Sequence, residues 1–306
     1  MAKIRLGLVG FGKIARDQHY PAISANADFD LSAVVSPEPL ADMSVPAFAD
    51  VKAMLEAMSL DAVAICTPPG PRHDLARACL EAGLHVLLEK PPATTLGEVA
   101  DLQARAGASK RSLFVTWHSR FNDNVAEAAA ITRREGIATL DIQWLEDVEK
   151  WHPGQAWIWQ AGGFGVFDPG INALSIATLL CPAPLLVKGA RLDMNDEGQQ
   201  PEVATLRLAT GGIEIGIAAH FHFRHTTGER WTIDITTQAG TRLALSAGGA
   251  QLSVNDGPIR ETANREYAQI YQRFAALIAD QASDVDVEPL RIVADALLVG
   301  ERLTIR

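Results

Sequence analysis

The sequence predicts an α/β protein of two domains, a doubly wound parallel sheet followed by an α+β domain with a large, mostly antiparallel open sheet. Up to residue 118, short apolar runs alternate with helical patterns, and wholly apolar runs suit strands buried on both faces. Beyond residue 120, the strand segments alternate apolar and polar residues, which is typical of strands with one exposed face. We therefore expect domains at residues 1–119 and 120–306.

The first domain is predicted to contain five strands joined by helical crossovers, as a parallel sheet requires. Gly83 follows the second helix, and glycine is a common residue just beyond a helix end. The predicted strands are 4–9, 31–35, 62–66, 85–88 and 113–117, and the predicted helices are 49–58, 72–82 and 96–108.

The second domain is predicted to contain hairpins and two closing helices. Thr210-Gly211-Gly212 and Ala239-Gly240 have the composition of hairpin turns, and Pro289 suits the first turn of the last helix. The predicted strands are 138–146, 203–208, 213–221, 231–237 and 241–245, and the closing helices are 264–279 and 289–303.

Composition argues against several classes of partner. The 306 residues carry a formal net charge of -10, whereas a nucleic-acid-binding protein needs a surplus of Lys and Arg to displace counterions. The sequence has no apolar run of about 18 residues, and its first residues lack the apolar core of a signal peptide. Cys66, Cys79 and Cys181 are too few and too far apart for a disulfide framework or a zinc site. We expect a cytoplasmic protein without nucleic-acid or membrane partners.

A glycine-rich turn directly follows the first predicted strand. Gly10 permits the tight turn, Gly12 lets the backbone approach a pyrophosphate, and Ala15 is small enough for helix and strand to touch. Lys13 and Ile14 begin the helix, whose N-terminus attracts anions. This G-x-G-x-x-A pattern predicts a Rossmann dinucleotide-binding domain, with a purely structural glycine turn as the alternative.

The choice between NAD and NADP stays open in the sequence. An acidic residue that binds the ribose 2′-hydroxyl is expected at the end of the second strand, but Ser36 stands there. A serine neither repels a 2′-phosphate nor pairs with it. Glu38 would favour NAD if it reached the ribose, and is otherwise a solvated loop charge.

Lys90 is a candidate catalytic residue of the first domain. It follows the fourth strand in Glu89-Lys90-Pro91-Pro92, and ligands of open parallel sheets bind beyond the carboxyl ends of the strands. Its ammonium group would stabilise an oxygen that gains negative charge and would help keep a neighbouring acid ionised. A surface lysine before a turn is the alternative.

Three segments together resemble the Gfo/Idh/MocA oxidoreductases. They are the G-x-G-x-x-A turn, Cys66-Thr67-Pro68-Pro69 with His73 beyond it, and Glu89-Lys90-Pro91. The resemblance implies an NAD(P)-dependent dehydrogenase in which Thr67, Pro68 and His73 border the cofactor and the lysine is catalytic. It also implies a second domain whose sheet carries the substrate and often an oligomer contact. The candidate cofactor-binding residues are Gly10, Gly12, Lys13, Ile14, Ser36, Cys66, Thr67, Pro68, His73, Glu89 and Lys90.

Four longer motifs are similar to those of bacterial members of this family that oxidise D-galactose or L-arabinose at C1. The motifs are GKIARDQH at 12–19, WHSR at 117–120, WHPGQ at 151–155 and FDPGINAL at 167–174. The resemblance implies an aldose 1-dehydrogenase with NAD or NADP as cofactor, a sugar as substrate and no need of a metal.

Asp168 and Asn172 are the candidate catalytic residues of the second domain. They are four residues apart and share one face of a helix that begins near Asp168, where Asp168 would alternatively be only a helix cap. Many proteins that this chain resembles have a histidine base in place of Asn172, and asparagine cannot take up a proton at neutral pH. We therefore expect Asp168 to be the base, with Lys90 and Asn172 orienting the anomeric hydroxyl; a relay through Lys90 is the alternative.

Aromatic and polar residues between 144 and 231 suit a sugar pocket, because sugars present apolar C–H faces and hydroxyl edges. Tryptophan is more often part of a core than of a ligand platform, so each tryptophan also has a core interpretation. A buried, satisfied histidine is the alternative for His118, and an exposed strand end is the alternative for Glu146. The candidate substrate-binding residues are His118, Arg120, Glu146, Trp151, His152 and Trp231.

Two rival functions fit the same fold. One is a dehydrogenase that acts on another sugar or on an inositol. The other is a non-catalytic sensor of sugar and dinucleotide, which the presence of both Lys90 and Asp168 disfavours.

Overall fold

The computed structural model describes residues 2–40, 43–195, 198–210 and 213–304. The strands are β1 (Ile4–Val9), β2 (Phe29–Val35), β3 (Ala47–Phe48), β4 (Ala62–Ile65), β5 (His85–Glu89), β6 (Leu113–Thr116), β7 (Ile137–Leu145), β8 (Leu185–Met194), β9 (Pro201–Thr210), β10 (Ile213–His222), β11 (Arg230–Thr237), β12 (Arg242–Ser246), β13 (Gln251–Val254), β14 (Arg260–Glu261) and β15 (Glu301–Thr304). The α-helices are α1 (Tyr20–Ser24), α2 (Val51–Ala57), α3 (Pro69–Glu81), α4 (Leu96–Ser109), α5 (Asp123–Glu135), α6 (Val148–Trp151), α7 (Phe167–Leu180), α8 (Glu266–Asp280) and α9 (Glu288–Val299).

The chain divides into two compact units, the first of which comprises Met1–His118 and Arg265–Asp286. Its six-stranded sheet has the order β3-β2-β1-β4-β5-β6, and all neighbouring strands are parallel. From β1 the strand order runs to one edge of the sheet through β2 and β3, and from β4 it runs to the other edge through β5 and β6. Doubly wound sheets bind their ligands where the strand order reverses in this way, here between β1 and β4. The predicted Rossmann fold of this region is confirmed.

The segment 265–286 belongs to the first unit, which corrects its predicted assignment to the second domain. Helix α8 packs Phe274 against Phe29 and Phe114 of the parallel sheet, with ring centroids 5.8 and 6.2 Å away. After α8, the main chain of Asp284 exchanges hydrogen bonds with the edge strand β6. Aromatic packing and main-chain pairing therefore bring back a segment that lies far away in sequence.

The second unit comprises Ser119–Asn264 and Val287–Arg306 and contains a nine-stranded sheet. Its order is β14-β13-β12-β11-β7-β10-β9-β8-β15, in which only the β7–β10 and β8–β15 pairs are parallel among the described strands. Helices α5, α7 and α9 pack on this sheet. Along β7, Leu140 and Ile142 are buried while Thr139 and Asp141 are exposed, which confirms the predicted one-sided sheet.

Two features of the second unit differ from the prediction. The last helix, α9, ends at Val299, and the next residues form β15 because their main chain pairs with β8. Strand β8 itself escaped prediction because irregularities in its pairing with β9 interrupt the alternation of buried and exposed residues. The predicted Ala239-Gly240 turn does join β11 to β12, whereas Gly211 and Gly212 lie outside the described residues. Among the described residues, no helix is both long and apolar enough to span a bilayer.

Candidate active site

The glycine-rich turn joins β1 to a π-helical turn at Ala15–His19. Gly10 has a φ of +87°, which residues with a side chain rarely adopt, and a Cβ at this position would lie 2.9 Å from Thr67 Cγ2. At Gly12, by contrast, a Cβ would meet no described heavy atom within 4 Å. The turn is therefore closed at its first glycine and open at its second, as a pyrophosphate site requires.

Thr67 supplies a second indication of a ligand at this turn. Its Oγ1 is buried and has no hydrogen-bond partner among the described residues, although buried hydroxyls normally have one. Because Thr67 lies against Gly10, a phosphate or ribose oxygen at the turn would satisfy that hydroxyl. The open space at Gly12 and the unsatisfied Thr67 hydroxyl both fit a dinucleotide.

Three other predicted cofactor residues follow the carboxyl ends of β1 and β2. Lys13 is exposed, and its ammonium group pairs with Asp17 four residues further on. Ile14 is half-buried. Ser36 follows β2, and its Oγ accepts a hydrogen bond from the amide of the exposed Glu38 at 3.2 Å. Their position at this sheet edge is the one that the sequence predicts.

Three more predicted cofactor residues, Cys66, Pro68 and His73, follow β4, and His73 contacts other protein side chains. Cys66 is buried, and burial raises the pKa of its thiol, while Pro68 is exposed at the start of α3. His73 lies further along α3, with Nε2 2.9 Å from Asp101 Oδ2 and Nδ1 3.3 Å from Asp74 Oδ1. Both ring nitrogens thus face carboxylates of α3 and α4, so these contacts indicate that His73 links two helices.

The main chain that carries Lys90 is held from two sides. Arg72, buried in α3, donates a hydrogen bond of 2.5 Å to the carbonyl oxygen of Glu89 and also donates to those of Pro91 and Thr67. The Glu89 carboxylate accepts the amide hydrogen of Lys90 at 2.9 Å. Lys90 therefore projects from a fixed segment at the carboxyl end of β5, where the sequence places it.

The Glu89 side chain is buried in a network of protein groups. Its Oε1 lies 3.0 Å from His19 Nε2 and accepts a hydrogen bond of 2.7 Å from the Tyr267 hydroxyl, while His19 Nδ1 lies 2.7 Å from the Tyr271 hydroxyl. Burial alone would raise the pKa of Glu89, but the hydrogen bonds and the charge of His19 hold it well below its usual range. These bonds indicate a structural role for a side chain that the sequence assigns to cofactor binding.

His118 is an oriented imidazole at the end of the first unit. Its Nδ1 lies 2.9 Å from Glu266 Oε2, and its ring stacks on Tyr267 with centroids 5.9 Å apart. Burial alone would lower the pKa of His118, but the Glu266 carboxylate raises it above the usual value. Because 21% of the His118 side chain is exposed, part of the ring is accessible to a ligand.

Asp168 and His152 form a close pair in the second unit. Helix α7 begins at Phe167, and Val166 precedes it without a side-chain capping bond, so the interpretation of Asp168 as a helix cap is wrong. Asp168 is 3% exposed, and its Oδ2 lies 3.3 Å from His152 Nε2. A buried carboxylate beside a partly exposed imidazole can accept a proton and pass it on.

Asn172 lies one turn after Asp168 on the same face of α7, as predicted. Its Oδ1 is buried without a hydrogen-bond partner among the described residues. A buried amide oxygen without a partner costs stability, and a ligand hydroxyl that donates to it would remove that cost. Asn172 is therefore a candidate acceptor for a substrate hydroxyl.

Three tryptophan rings lie in a row in the second unit, with Trp144 stacked on Trp231 and Trp151 tilted against it. The register of β7 and β11 places Trp144 opposite Trp231 with ring centroids 6.0 Å apart, and the Trp151 ring lies 5.7 Å from Trp231. Trp151 Nε1 donates to Glu229 at 2.5 Å. The Nε1 atoms of Trp144 and Trp231 are buried without a partner among the described residues, although buried indole N–H groups usually find one. This row therefore combines apolar surface with two donors that a polar ligand would satisfy.

The structure distinguishes between Glu146 and Arg120, which the sequence groups together. Glu146 is buried directly after β7, so it is not an exposed strand end. Arg120 Nε donates to the carbonyl oxygen of Ser175 and its Nη2 to Thr178 Oγ1, both at 2.7 Å. Arg120 thus anchors the turn that contains it to α7, and these bonds indicate a structural role for a residue that the sequence assigns to substrate binding.

Sequence reasoning missed Glu266, Tyr267 and Tyr271. They lie in α8, 148, 178 and 252 residues from their respective partners His118, Glu89 and His19, and no motif marks them. His19 stands at the end of a recognised motif, but only its contact with Glu89 reveals what it does.

Comparison with known proteins agrees with this arrangement. Residues 4–117 match the Gfo/Idh/MocA model, described as an oxidoreductase family with an NAD-binding Rossmann fold. A galactose 1-dehydrogenase of Pseudomonas fluorescens is 46% identical over 100% of this chain and 98% of its own length. The chain belongs to the Gfo/Idh/MocA oxidoreductases.

Two solved structures extend the comparison of this Gfo/Idh/MocA protein. A D-galactose-1-dehydrogenase from Rhizobium etli has a TM-score of 0.94 and 45% identity over 100% of this chain and 97% of that one. A 3-ketoreductase from Actinomadura kijaniata, solved with NADP and TDP-benzene, has a TM-score of 0.84 over the full length of both chains. Its identity is 18%, so that likeness concerns the fold. The protein is an oxidoreductase of this family, with NAD or NADP as its cofactor.

Proposed function

We propose that this Gfo/Idh/MocA oxidoreductase is an aldose 1-dehydrogenase that oxidises the anomeric carbon of D-galactose, of L-arabinose or of both to the aldonolactone. The observation that carries the proposal is the pair of the buried Asp168 and the partly exposed His152, with the unsatisfied Asn172 oxygen one helical turn away. Full-length similarity to proteins named galactose 1-dehydrogenase supports the choice of reaction and sugar.

Each candidate catalytic residue has a distinct part in the proposed reaction. The dinucleotide, when bound, supplies the acceptor for the hydride that leaves C1. Asp168 takes up the proton of the C1 hydroxyl as general base. Lys90 donates a hydrogen bond to the same oxygen and stabilises the charge that develops there. Asn172 orients the sugar through its side-chain amide: Nδ2 donates to the C1 oxygen, and the buried Oδ1 accepts from a neighbouring hydroxyl, because the single C1 hydroxyl proton goes to Asp168.

Five further candidate residues account for the recognition of the sugar. Trp151 and Trp231 offer apolar ring surface to the C–H face of a pyranose, and His118, Glu146 and His152 bond its hydroxyl groups. D-Galactopyranose and L-arabinopyranose share their ring hydroxyl configuration and differ by one hydroxymethyl group. Because a pocket gains only about 1–3 kcal/mol from one small group, use of both sugars by one site is compatible with this difference, and the kcat/KM ratio ranks them.

Cellular setting and assembly are further parts of the proposal. The three cysteines are buried free thiols, which suits a cytoplasmic, reducing compartment. The exposed side of the nine-stranded sheet is the surface through which we expect a homo-oligomer to form.

A substrate panel tests the proposal. Purified protein is mixed with D-galactose, L-arabinose, D-glucose, D-xylose or myo-inositol, each with NAD and with NADP, and absorbance of the reduced nicotinamide is followed. Reduction with the first two sugars and a lactone product support the proposal, and their kcat/KM ratio ranks them. Reduction with inositol, or oxidation at another carbon, favours the rival dehydrogenase. Dinucleotide binding without any reduction favours the sensor.

A further inference from the structure

The first turn of α8 contacts one candidate active-site residue, His118, and the residue that holds the main chain of another, Lys90. Glu266 bonds His118 at 2.9 Å, and the next residue, Tyr267, donates 2.7 Å to Glu89, whose carboxylate accepts the amide of Lys90. Two consecutive residues of one helix therefore act on two separate segments that end at the same edge of the parallel sheet.

The bonds to Glu89 fix the orientation of its carboxylate. Tyr267 and His19 occupy Oε1, whereas the Lys90 amide occupies Oε2 at 2.9 Å. Rotation of the carboxylate would therefore weaken the bond to the Lys90 main chain together with the other two. Tyr267 is thus connected to Lys90 through a single rigid group.

Because Glu89 is buried, its carboxylate destabilises the fold if any of its hydrogen bonds is lost. Glu89 is 3% exposed, and an ionised carboxylate at such a place is destabilising unless every oxygen is bonded. Removing the Tyr267 hydroxyl leaves Oε1 with one fewer donor and frees the carboxylate to seek another. The expected consequence is a displaced Lys90 main chain.

We propose that Glu266 and Tyr267 are positioning residues: Tyr267 acts through Glu89 on Lys90, and Glu266 acts on the ring of His118. This inference rests on the aldose oxidation proposed above, because Lys90 and His118 need fixed positions only if they act on the sugar. It also gives α8 a role in the reaction in addition to its role in the core.

The test compares Tyr267→Phe with Tyr20→Phe. Both variants lose only a hydroxyl, and the Tyr20 hydroxyl has no hydrogen bond among the described residues, while its ring packs edge-on against Phe11. In Tyr267→Phe we expect kcat to fall about tenfold to a hundredfold, as for a catalytic group displaced by a fraction of an ångström to one ångström. The Kd of the dinucleotide, measured without sugar, should match that of the wild type.

Hydrogen exchange provides a second readout that does not need the reaction. Pro91 and Pro92 have no amide hydrogen, so a short peptide over this segment reports mainly on Glu89 and Lys90. Loss of the bond network should make the Lys90 amide exchange about tenfold faster in Tyr267→Phe and leave it unchanged in Tyr20→Phe. Unchanged exchange together with wild-type kcat in Tyr267→Phe would overturn the proposal.

Glu266→Gln tests the second arm and covers the case in which Tyr267→Phe does not fold. We expect a higher KM for the sugar with an unchanged Kd for the dinucleotide, because a neutral amide holds the His118 ring less firmly than a carboxylate does; an unchanged KM overturns this arm. If the wild type oxidises no aldose, the proposed function fails, and the exchange of Lys90 still decides whether Tyr267 positions it.

Discussion

At the scale of single residues, Asp168 offers the most direct test of the proposed chemistry. Asp168→Asn keeps the shape of the side chain but removes its ability to accept a proton. We expect kcat with D-galactose or L-arabinose to fall about 10²- to 10⁴-fold, the usual worth of general base catalysis. The dinucleotide Kd should stay near that of the wild type, because the turn at Gly12 is untouched.

A matched control for that change is Asp256→Asn. Asp256 is exposed and pairs with Arg242 on the surface, where ion pairs contribute little, so its loss should leave kcat and stability nearly unchanged. Near-normal turnover in Asp168→Asn would contradict the role of Asp168 as base.

The His118–Glu266 pair predicts a pH dependence at the same scale. The pKa of His118 is raised in the folded protein, so the pair stabilises the fold at pH below the unfolded value of about 6.5. This contribution is lost as the pH rises through the folded pKa. Glu266→Gln should lower the pKa of His118 in an NMR titration. Glu266→Gln should also lower the free energy of unfolding, measured in urea, by more at pH 5 to 6 than at pH 9. An equal loss at both pH values would contradict the contribution of the charged His118–Glu266 pair.

At the scale of elements, the two glycines of the turn after β1 should respond differently to alanine. Gly10→Ala introduces a side chain at positive φ and against Thr67, so we expect a loss of about 1–3 kcal/mol in the free energy of unfolding. Gly12→Ala meets open space and should keep stability within about 0.5 kcal/mol.

The second readout of these variants is dinucleotide affinity. Gly12→Ala fills the space through which a pyrophosphate approaches the backbone, so its Kd should rise about tenfold or more despite normal stability. Nicotinamide fluorescence titration and urea unfolding measure the two effects separately. Tight binding by Gly12→Ala would mean that the pyrophosphate lies elsewhere.

The elements also show which parts of the structure are readable in the sequence. Strand β1 is predicted at its observed bounds because its buried residues 6–9 form a continuous apolar run, as in strands covered on both faces, after the exposed Arg5. Asp168 and Asn172 are predicted to share a helix face because helical periodicity alone decides it. The protein contacts of His73 and Arg120 were not predicted, since long polar side chains bond to whichever partner the packed helices supply, and sequence spacing does not encode those partners.

At the scale of the whole molecule, the chain leaves the first unit after residue 118 and returns to it at 265. The returning segment supplies buried Tyr271 and Phe274 to the core and bonds to the buried Glu89 through Tyr267. No sequence pattern within residues 1–118 indicates that this unit also needs the segment 265–286. The boundary near residue 119 is readable because strand character changes there, whereas the return depends on contacts that only folding creates.

This discontinuity predicts how fragments behave. Residues 1–118 alone would expose the surfaces of Phe29 and Phe114 that α8 covers and would leave Glu89 short of a donor. Each buried aromatic side chain is worth about 1.5–3 kcal/mol, so the loss of several approaches the 5–15 kcal/mol that stabilises a typical domain. We therefore expect 1–118 to be unfolded or molten by circular dichroism.

Joining 1–118 to 265–286 through a flexible glycine-serine linker should restore a cooperative urea transition, because the linker lets α8 reach its position. In that linked fragment, Phe274→Ala should lower the free energy of unfolding by about 3–5 kcal/mol, the usual cost of emptying a buried aromatic site. Gln272→Ala in the same linked fragment is the matched surface control, since that side chain is exposed on α8 and its loss should change little. A fragment 1–118 that unfolds as cooperatively and at the same urea midpoint as the linked one would show that α8 covers a core that is already complete. In that case the role of α8 would be confined to positioning Glu89 and His118.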